Sequence, residues 1–174
     1  MKKSVALVLS SGGSKGLAQI GVINALGKND FKISSIAGSS IGSIIGGLHA
    51  MGKLPEFTAW MKTLDRRAIW GLMDFTISTY GLLKAVKALD KMKTIIPDMN
   101  IEEMDIPFAA IATDLINERE IVFNSGSFYE AIRASIAIPT VITPVKYRDT
   151  ILVDGAVLNP IPIMYVARST NDIL

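Results

Sequence analysis

The sequence has 174 residues, 49% of them apolar and 20% charged, with a net charge of +2 and no cysteine. That length and composition suit a single domain over residues 1–174 and exclude a disordered chain. The basic residues are scattered, which argues against a nucleic-acid surface; the lack of cysteine excludes disulfides, thiolate metal sites and a cysteine nucleophile, and fits the cytoplasm.

Met1-Lys2-Lys3 leads into the apolar run Val5–Leu9, which breaks at Ser10-Ser11-Gly12-Gly13. Five apolar residues fall short of the roughly 7–15 of a signal core, so a buried first strand is expected. Apolar residues at helical spacing predict a helix over Ser14–Leu26. Lys32–Gly38 reads as a second strand, and Ile41–Met51 as a buried helix, apolar nearly all round. From Ile33 to Gly52 there is no charge, which raises the question of a membrane span. Five serines, five glycines and His49 in that stretch lower its hydropathy, so a strand followed by a buried helix is the better reading. Strand–helix–strand–helix order predicts an α/β fold with a parallel sheet.

The middle, from Pro55 to about Asp98, has a different character. Glu56–Ile69 and Leu82–Ile95 have amphipathic helical patterns, with Phe57, Trp60, Trp70, Met73 and Phe75 giving an aromatic and methionine bias. Helices packed on the sheet account for this; the functional alternative is a helical, cap-like insertion over an apolar site or a membrane-facing surface. Phe108–Thr113 and Glu120–Phe123 read as strands and Ser127–Ala137 as a helix. Pro139 and Pro144 mark a loop, and Ile151–Val153 is a strand ending at Asp154-Gly155. Residues 171–174 look like the start of a further strand.

Gly38-Ser39-Ser40-Ile41-Gly42 fits G-x-S-x-G between a strand and a helix. A sharp turn there lifts a serine hydroxyl out of the sheet, and the helix N-terminus favours negative charge beside it. A serine nucleophile needs a base. His49, the one histidine, lies nine residues along the same predicted helix, about 13 Å away at about 1.5 Å rise per residue. It cannot reach Ser40, so the base is a carboxylate or a lysine. Asp154 is the best carboxylate, at the end of a strand and before a glycine, although an ordinary Asp-Gly turn explains the pair equally well. Asp30, Asp105 and Asp114 are weaker candidates without a comparable glycine. Ser11-Gly12-Gly13-Ser14-Lys15-Gly16 joins the first strand to the first helix. Its amides suit an anion: a nucleotide phosphate or the oxyanion of an acyl-transfer intermediate. Gly-Lys followed by Ser or Thr is absent, and so is G-x-G-x-x-G, which argues against the nucleotide.

In this order the blocks resemble the patatin-like phospholipase family. Gly12-Gly13-Ser14-Lys15-Gly16 is similar to its glycine-rich loop, Gly38-Ser39-Ser40-Ile41-Gly42 to its nucleophile motif, and Asp154-Gly155-Ala156 to its Asp-Gly-Gly or Asp-Gly-Ala motif. Ala112-Thr113-Asp114-Leu115 and Ala134-Ser135-Ile136-Ala137-Ile138-Pro139 each resemble a further family block. The resemblance runs over most of the chain. It implies a three-layer α/β/α fold with a mainly parallel central sheet. Ser40 would be the nucleophile, Asp154 its base, and the amides of Gly12 and Gly13, helped by Ser14 and Lys15, the oxyanion hole; Gly38 and Gly42 would shape the elbow. It also implies hydrolysis of acyl lipids, phospholipids above all, without metal or other cofactor, and peripheral contact with a membrane. Ser11 stands where the family usually has a third glycine. Family domains usually continue with another strand and helices, so the chain reads as a fragment or a short member. An open sheet edge would then invite a second copy. The alternative that a short chain favours is a catalytically inactive scaffold or lipid-binding module.

Overall fold

The computed structural model describes residues 3–64 and 88–167. Strand β1 (Lys3–Leu9) leads through a 3-10 turn (Gly13–Leu17) into α1 (Ala18–Lys28). Next come β2 (Phe31–Ser39), α2 (Ile41–Ala50) and α3 (Leu54–Thr63). Residues 88–95 are helical and are called α4. The remainder is β3 (Phe108–Asp114), β4 (Arg119–Phe123), α5 (Phe128–Ser135), β5 (Val145–Tyr147) and β6 (Thr150–Asp154). The end of the helix predicted to Ile69, the start of the one predicted from Leu82, the stretch between them with Trp70, Met73 and Phe75, and the strand expected at 171–174 lie outside the described residues.

Local chemistry explains most boundaries. The uncharged stretch from Ile33 to Gly52 resolves into β2 and α2, and among the described residues no helix is long and apolar enough to cross a membrane. α3 starts at Leu54, ahead of the expected Glu56, because Pro55 falls in its first turn, where no N–H is needed. α5 is capped by the Ser127 hydroxyl, which accepts the Glu130 amide at 3.1 Å. The loop expected around Pro139 and Pro144 contains β5, which forms a hairpin with β6 across Arg148-Asp149. Arg148 adopts φ 50°, the left-handed geometry of a tight two-residue turn. Asp149 is a common turn residue but Arg148 is not, and no glycine or asparagine follows, so the hairpin carried little local signal.

The sheet is mixed. β1, β2 and β3 are parallel, as the strand–helix order predicts, while β4, β5 and β6 add antiparallel pairings. β3 has three partners, and this sets the site. β4 pairs with Ala110 through Asp114 along one edge. On the other edge β2 pairs with Phe108 through Ile111, and β6 with Ala112 through Asp114. β2 runs parallel to β3 and β6 antiparallel, so the two run toward each other along one edge. They stop at adjacent positions, Ser39 opposite Ile111 and Asp154 opposite Ala112.

The larger core cluster fills the face covered by α2 and α5, with Ile36, Ile45, Leu48, Phe128 and Ile132 at most 1% exposed. Burying each such side chain contributes about 1.5–3 kcal/mol. A smaller cluster of Ala6, Ala37, Ala109 and Val166 lies apart from it. Asp114 organises the end of β3. Its fully buried carboxylate accepts the amides of Ile116 and Asn117, the Asn117 and Arg119 side chains, and the Thr150 hydroxyl. Burial pushes its carboxyl up, but these donors outweigh it and hold the group well below the usual carboxylate range. It is a structural hub with its oxygens spent. Asp30 and Asp105 are exposed.

Candidate active site

Ser40 follows β2 directly and caps α2, with φ 55° and ψ −126°. That conformation is strained for any residue with a side chain and costs on the order of 1–3 kcal/mol. It persists because neighbours fix it at both ends. The Ser40 amide donates to the Ser135 hydroxyl at 3.0 Å. The Ser40 carbonyl accepts the Ser43 amide at 2.9 Å and the Ser43 hydroxyl at 2.6 Å. The turn also needs backbone to pass close to backbone. A Cβ on Gly38 would stand 2.6 Å from the Ser43 nitrogen, and one on Gly42 would stand 2.8 Å from the Ser10 carbonyl oxygen. Both motif glycines therefore occupy positions where no side chain fits.

The strained turn aims the hydroxyl along the edge of β3. Ser40 Oγ donates to Asp154 Oδ2 at 2.6 Å, and both residues are nearly inaccessible, at 5% and 2% exposure. The second carboxylate oxygen, Oδ1, accepts the Ala156 amide at 2.8 Å, which fixes the orientation of the group. The Asp154 amide in turn donates to the Ala137 carbonyl at 2.9 Å. Burial raises the Asp154 carboxyl above its ordinary 3.8, opposed by the hydrogen bonds from Ser40 and the Ala156 amide. A carboxylate raised in this way is a stronger proton acceptor than one in water. Asp154 ends its strand as expected, but that strand is antiparallel to β3 and arrives from the opposite direction.

The glycine loop lies against the first turn of α2. Gly16 is buried so close to Ile41 that a Cβ there would stand 2.9 Å from Ile41 Cγ1. The loop is held by Gln19 Nε2, which donates to the Ser10 carbonyl at 2.7 Å, and by the Ser11 amide, which donates to the Pro160 carbonyl at 3.0 Å. Gly13 adopts φ +53° at the start of the 3-10 turn. A 3-10 turn leaves its first three amides without an internal partner. The Lys15 amide is taken by the Gly12 carbonyl at 3.2 Å, so it is spent within the loop. The Gly13 and Ser14 amides have no such intrahelical acceptor.

His49 sits half-buried at the far end of α2, in a groove between α1, α2 and α3 with a volume of about 720 Å³. Burial lowers its pKa, and it faces Lys28, Thr58 and Lys62 rather than Ser40. The residues that sequence reasoning gave no role are Ser135, Ser43 and the carbonyls of Ile111 and Ala137. Ser135 did fall in a block singled out by resemblance, yet its partners are set by tertiary contacts that no local pattern encodes.

A family model described as "Patatin-like phospholipase" matches residues 7–167. The chain belongs to the patatin-like phospholipase family. A protein of Mycobacterium tuberculosis (strain ATCC 25618 / H37Rv), named an uncharacterized NTE family protein, is 46% identical over 169 residues, 97% of this chain and 47% of that protein. The lysophospholipase NTE1 of Debaryomyces hansenii is 29% identical over 174 residues, 95% of this chain and 11% of that protein. The patatin-like chain therefore spans less than half the length of either relative. Its fold is similar to that of VipD from Legionella pneumophila, with a TM-score of 0.58 at 15% identity, covering 99% of this chain and 48% of that one. This patatin-like likeness extends to fold alone.

Proposed function

We propose that the protein is a lipid acyl hydrolase with Ser40 as nucleophile and Asp154 as the base that serves it. The observation that carries this reading is the 2.6 Å hydrogen bond from Ser40 Oγ to Asp154 Oδ2 at a strained strand-to-helix turn. Family membership and the lysophospholipase name of relatives support the substrate class.

In this mechanism Asp154 Oδ2 takes the Ser40 proton as Oγ attacks the carbonyl carbon of a fatty acyl ester. The carbonyl π electrons move to oxygen, and the oxyanion faces the glycine loop. The Gly12, Gly13 and Ser14 amides serve as donors, each worth about 2.7–4 kcal/mol in the transition state if it follows known oxyanion holes. Lys15 contributes its positive charge rather than its amide, which is already bonded. Collapse of the intermediate expels the alcohol, which leaves with the proton held by Asp154. A water then gives a proton to Asp154 and attacks acyl-Ser40; as the acyl–Oγ bond breaks, Asp154 returns that proton to Ser40 Oγ and the fatty acid is released. The substrate arrives from a lipid surface. The segment after Asp154 exposes Val157, Leu158, Ile161, Ile163 and Met164, and its Pro160 carbonyl holds the glycine loop.

The test is release of fatty acid from a short-chain ester and from phosphatidylcholine vesicles. Wild type is expected to release it from both, and Ser40→Ala and Asp154→Ala from neither. Full activity in Asp154→Ala would break the dyad assignment. Lipid binding without turnover in wild type would favour a lipid-binding module instead.

A further inference from the structure

One helix terminus holds both members of the Ser40–Asp154 pair. Ser135, the last residue of α5, is fully buried, and its hydroxyl both accepts and donates a hydrogen bond. It accepts the Ser40 amide at 3.0 Å and donates to the Ile111 carbonyl at 2.6 Å. Two residues on, the Ala137 carbonyl accepts the Asp154 amide at 2.9 Å. Ile111 is the residue of β3 that faces Ser39, and its neighbour Ala112 faces Asp154. The short segment from Ser135 to Ala137 thus bridges the junction where β2 and β6 meet end to end.

We propose that Ser135 is a positioning residue for the reaction: its hydroxyl, acting with the Ala137 carbonyl, locks Ser40 and Asp154 to one rigid helix end and so fixes their hydrogen-bonded contact. The proposal rests on the reading of Ser40 and Asp154 as the catalytic pair. The physical need is clear. β2 and β6 do not pair with each other, so no ladder hydrogen bond between them sets the gap. The partner they share is β3, on which each is registered by its last few residues. Ser40 is also in a backbone conformation that the chain leaves when it can. A hydroxyl suits the task because it accepts from one backbone group and donates to another at once. Alanine can do neither, and would leave a buried N–H and a buried carbonyl without this partner.

The hydroxyl does not touch the reacting atoms, so its loss should appear in kcat and leave KM in place. A displacement of about 1 Å at a catalytic group costs on the order of 10²-fold in rate. A second signature separates positioning from mere stability. The Ser40 hydrogen bond opposes the burial that raises the Asp154 carboxyl. If Ser40 drifts away, that opposition is lost, and the acid limb of the rate profile moves to higher pH.

The experiment compares hydrolysis of p-nitrophenyl butyrate by wild type, Ser135→Ala and Ile132→Val across pH, with melting temperatures measured in parallel. Ile132 is a fully buried α5 residue, and its truncation reports a matched loss of packing. Ser135→Ala is expected to lose roughly 30- to 100-fold in kcat, with KM within twofold and the acid limb shifted upward. Ile132→Val should lower the melting temperature while kcat and the acid limb stay put. If Ser135→Ala does not fold, Ser135→Cys carries the same comparison, because its thiol is a weak donor and acceptor of similar size. Wild-type kcat and an unmoved acid limb in either serine variant would overturn the proposal. Loss in Ser135→Ala equal to that in Ile132→Val, at equal melting temperature, would overturn it too. Absence of hydrolysis in wild type sinks the dyad reading and this one together, whereas an active wild type with an indifferent Ser135 sinks this one alone.

Discussion

Gly155→Ala offers a test of geometry without any change of chemistry. The Ser40 and Asp154 side chains and every donor to them remain; only one methyl is added. That methyl would stand 2.7 Å from Ser39 Oγ and 2.8 Å from the Ile111 carbonyl carbon, and closer still to the carbonyl oxygen. Ordinary contact begins at 3.4 Å. Moving from 2.8 to 3.4 Å requires at least 0.6 Å of travel, and the carbonyl belongs to the central strand, which is paired on both edges. The segment that yields is Gly155, and Asp154 moves with it. We expect kcat for a soluble ester to fall by about 10²-fold. Overpacking should cost about 1–3 kcal/mol, or roughly 2–4 °C of melting temperature per kcal/mol at this chain length. Gly21→Ala is the control: α1 is open around Gly21, with nothing within 4 Å. There the same substitution should stabilise the protein by about 0.5–1 kcal/mol and leave turnover unchanged. Full activity in Gly155→Ala would refute the argument that close packing behind Asp154 fixes the site.

Asp154→Asn should remove activity and stabilise the fold at neutral pH. The folded carboxyl lies above its unfolded value, so burying its charge is a burden that grows as pH rises through the folded pKa and is absent below 3.8. Melting curves of wild type and variant should therefore converge in acid and separate toward neutrality, with the variant higher; the opposite order would contradict a carboxylate whose burial outweighs its two hydrogen bonds. For the same reason wild-type kcat/KM should fall toward acid with an apparent pKa above the ordinary 3.8, read from initial rates across pH. Gly13→Ala meets no neighbour within 4 Å but must adopt φ +53°. It should cost about 1–2 kcal/mol of stability, by thermal melting, while hydrolysis persists because the amide stays in place.

Much of this arrangement was written in local sequence. An apolar run broken by glycines, then G-x-S-x-G between a strand and a helix, told where the loop and the elbow fall, because turn chemistry and hydrophobic periodicity are local properties. Asp154 was identifiable from its place at a strand end, but its approach was not. That β6 runs antiparallel and meets β2 head-on is a matter of register along β3, which depends on residues far apart in the chain. β5 stayed hidden because a three-residue strand after Pro144 has no period to detect. Ser135 was equally silent: a serine at a helix end is ordinary, and only packing against β3 and the elbow gives it partners. Asp114 drew attention as a carboxylate at a strand end, and the structure assigns it to holding the β3–β4 turn and Thr150 instead.

The most direct measurement is the rate and position of covalent modification by a fluorophosphonate, followed by intact mass and peptide mapping. One adduct per chain on Ser40 is expected, slowed by about 10²–10⁴-fold in Asp154→Asn and absent in Ser40→Ala. An adduct on another residue, or equal rates for wild type and Asp154→Asn, would contradict the claim that this carboxylate activates this hydroxyl.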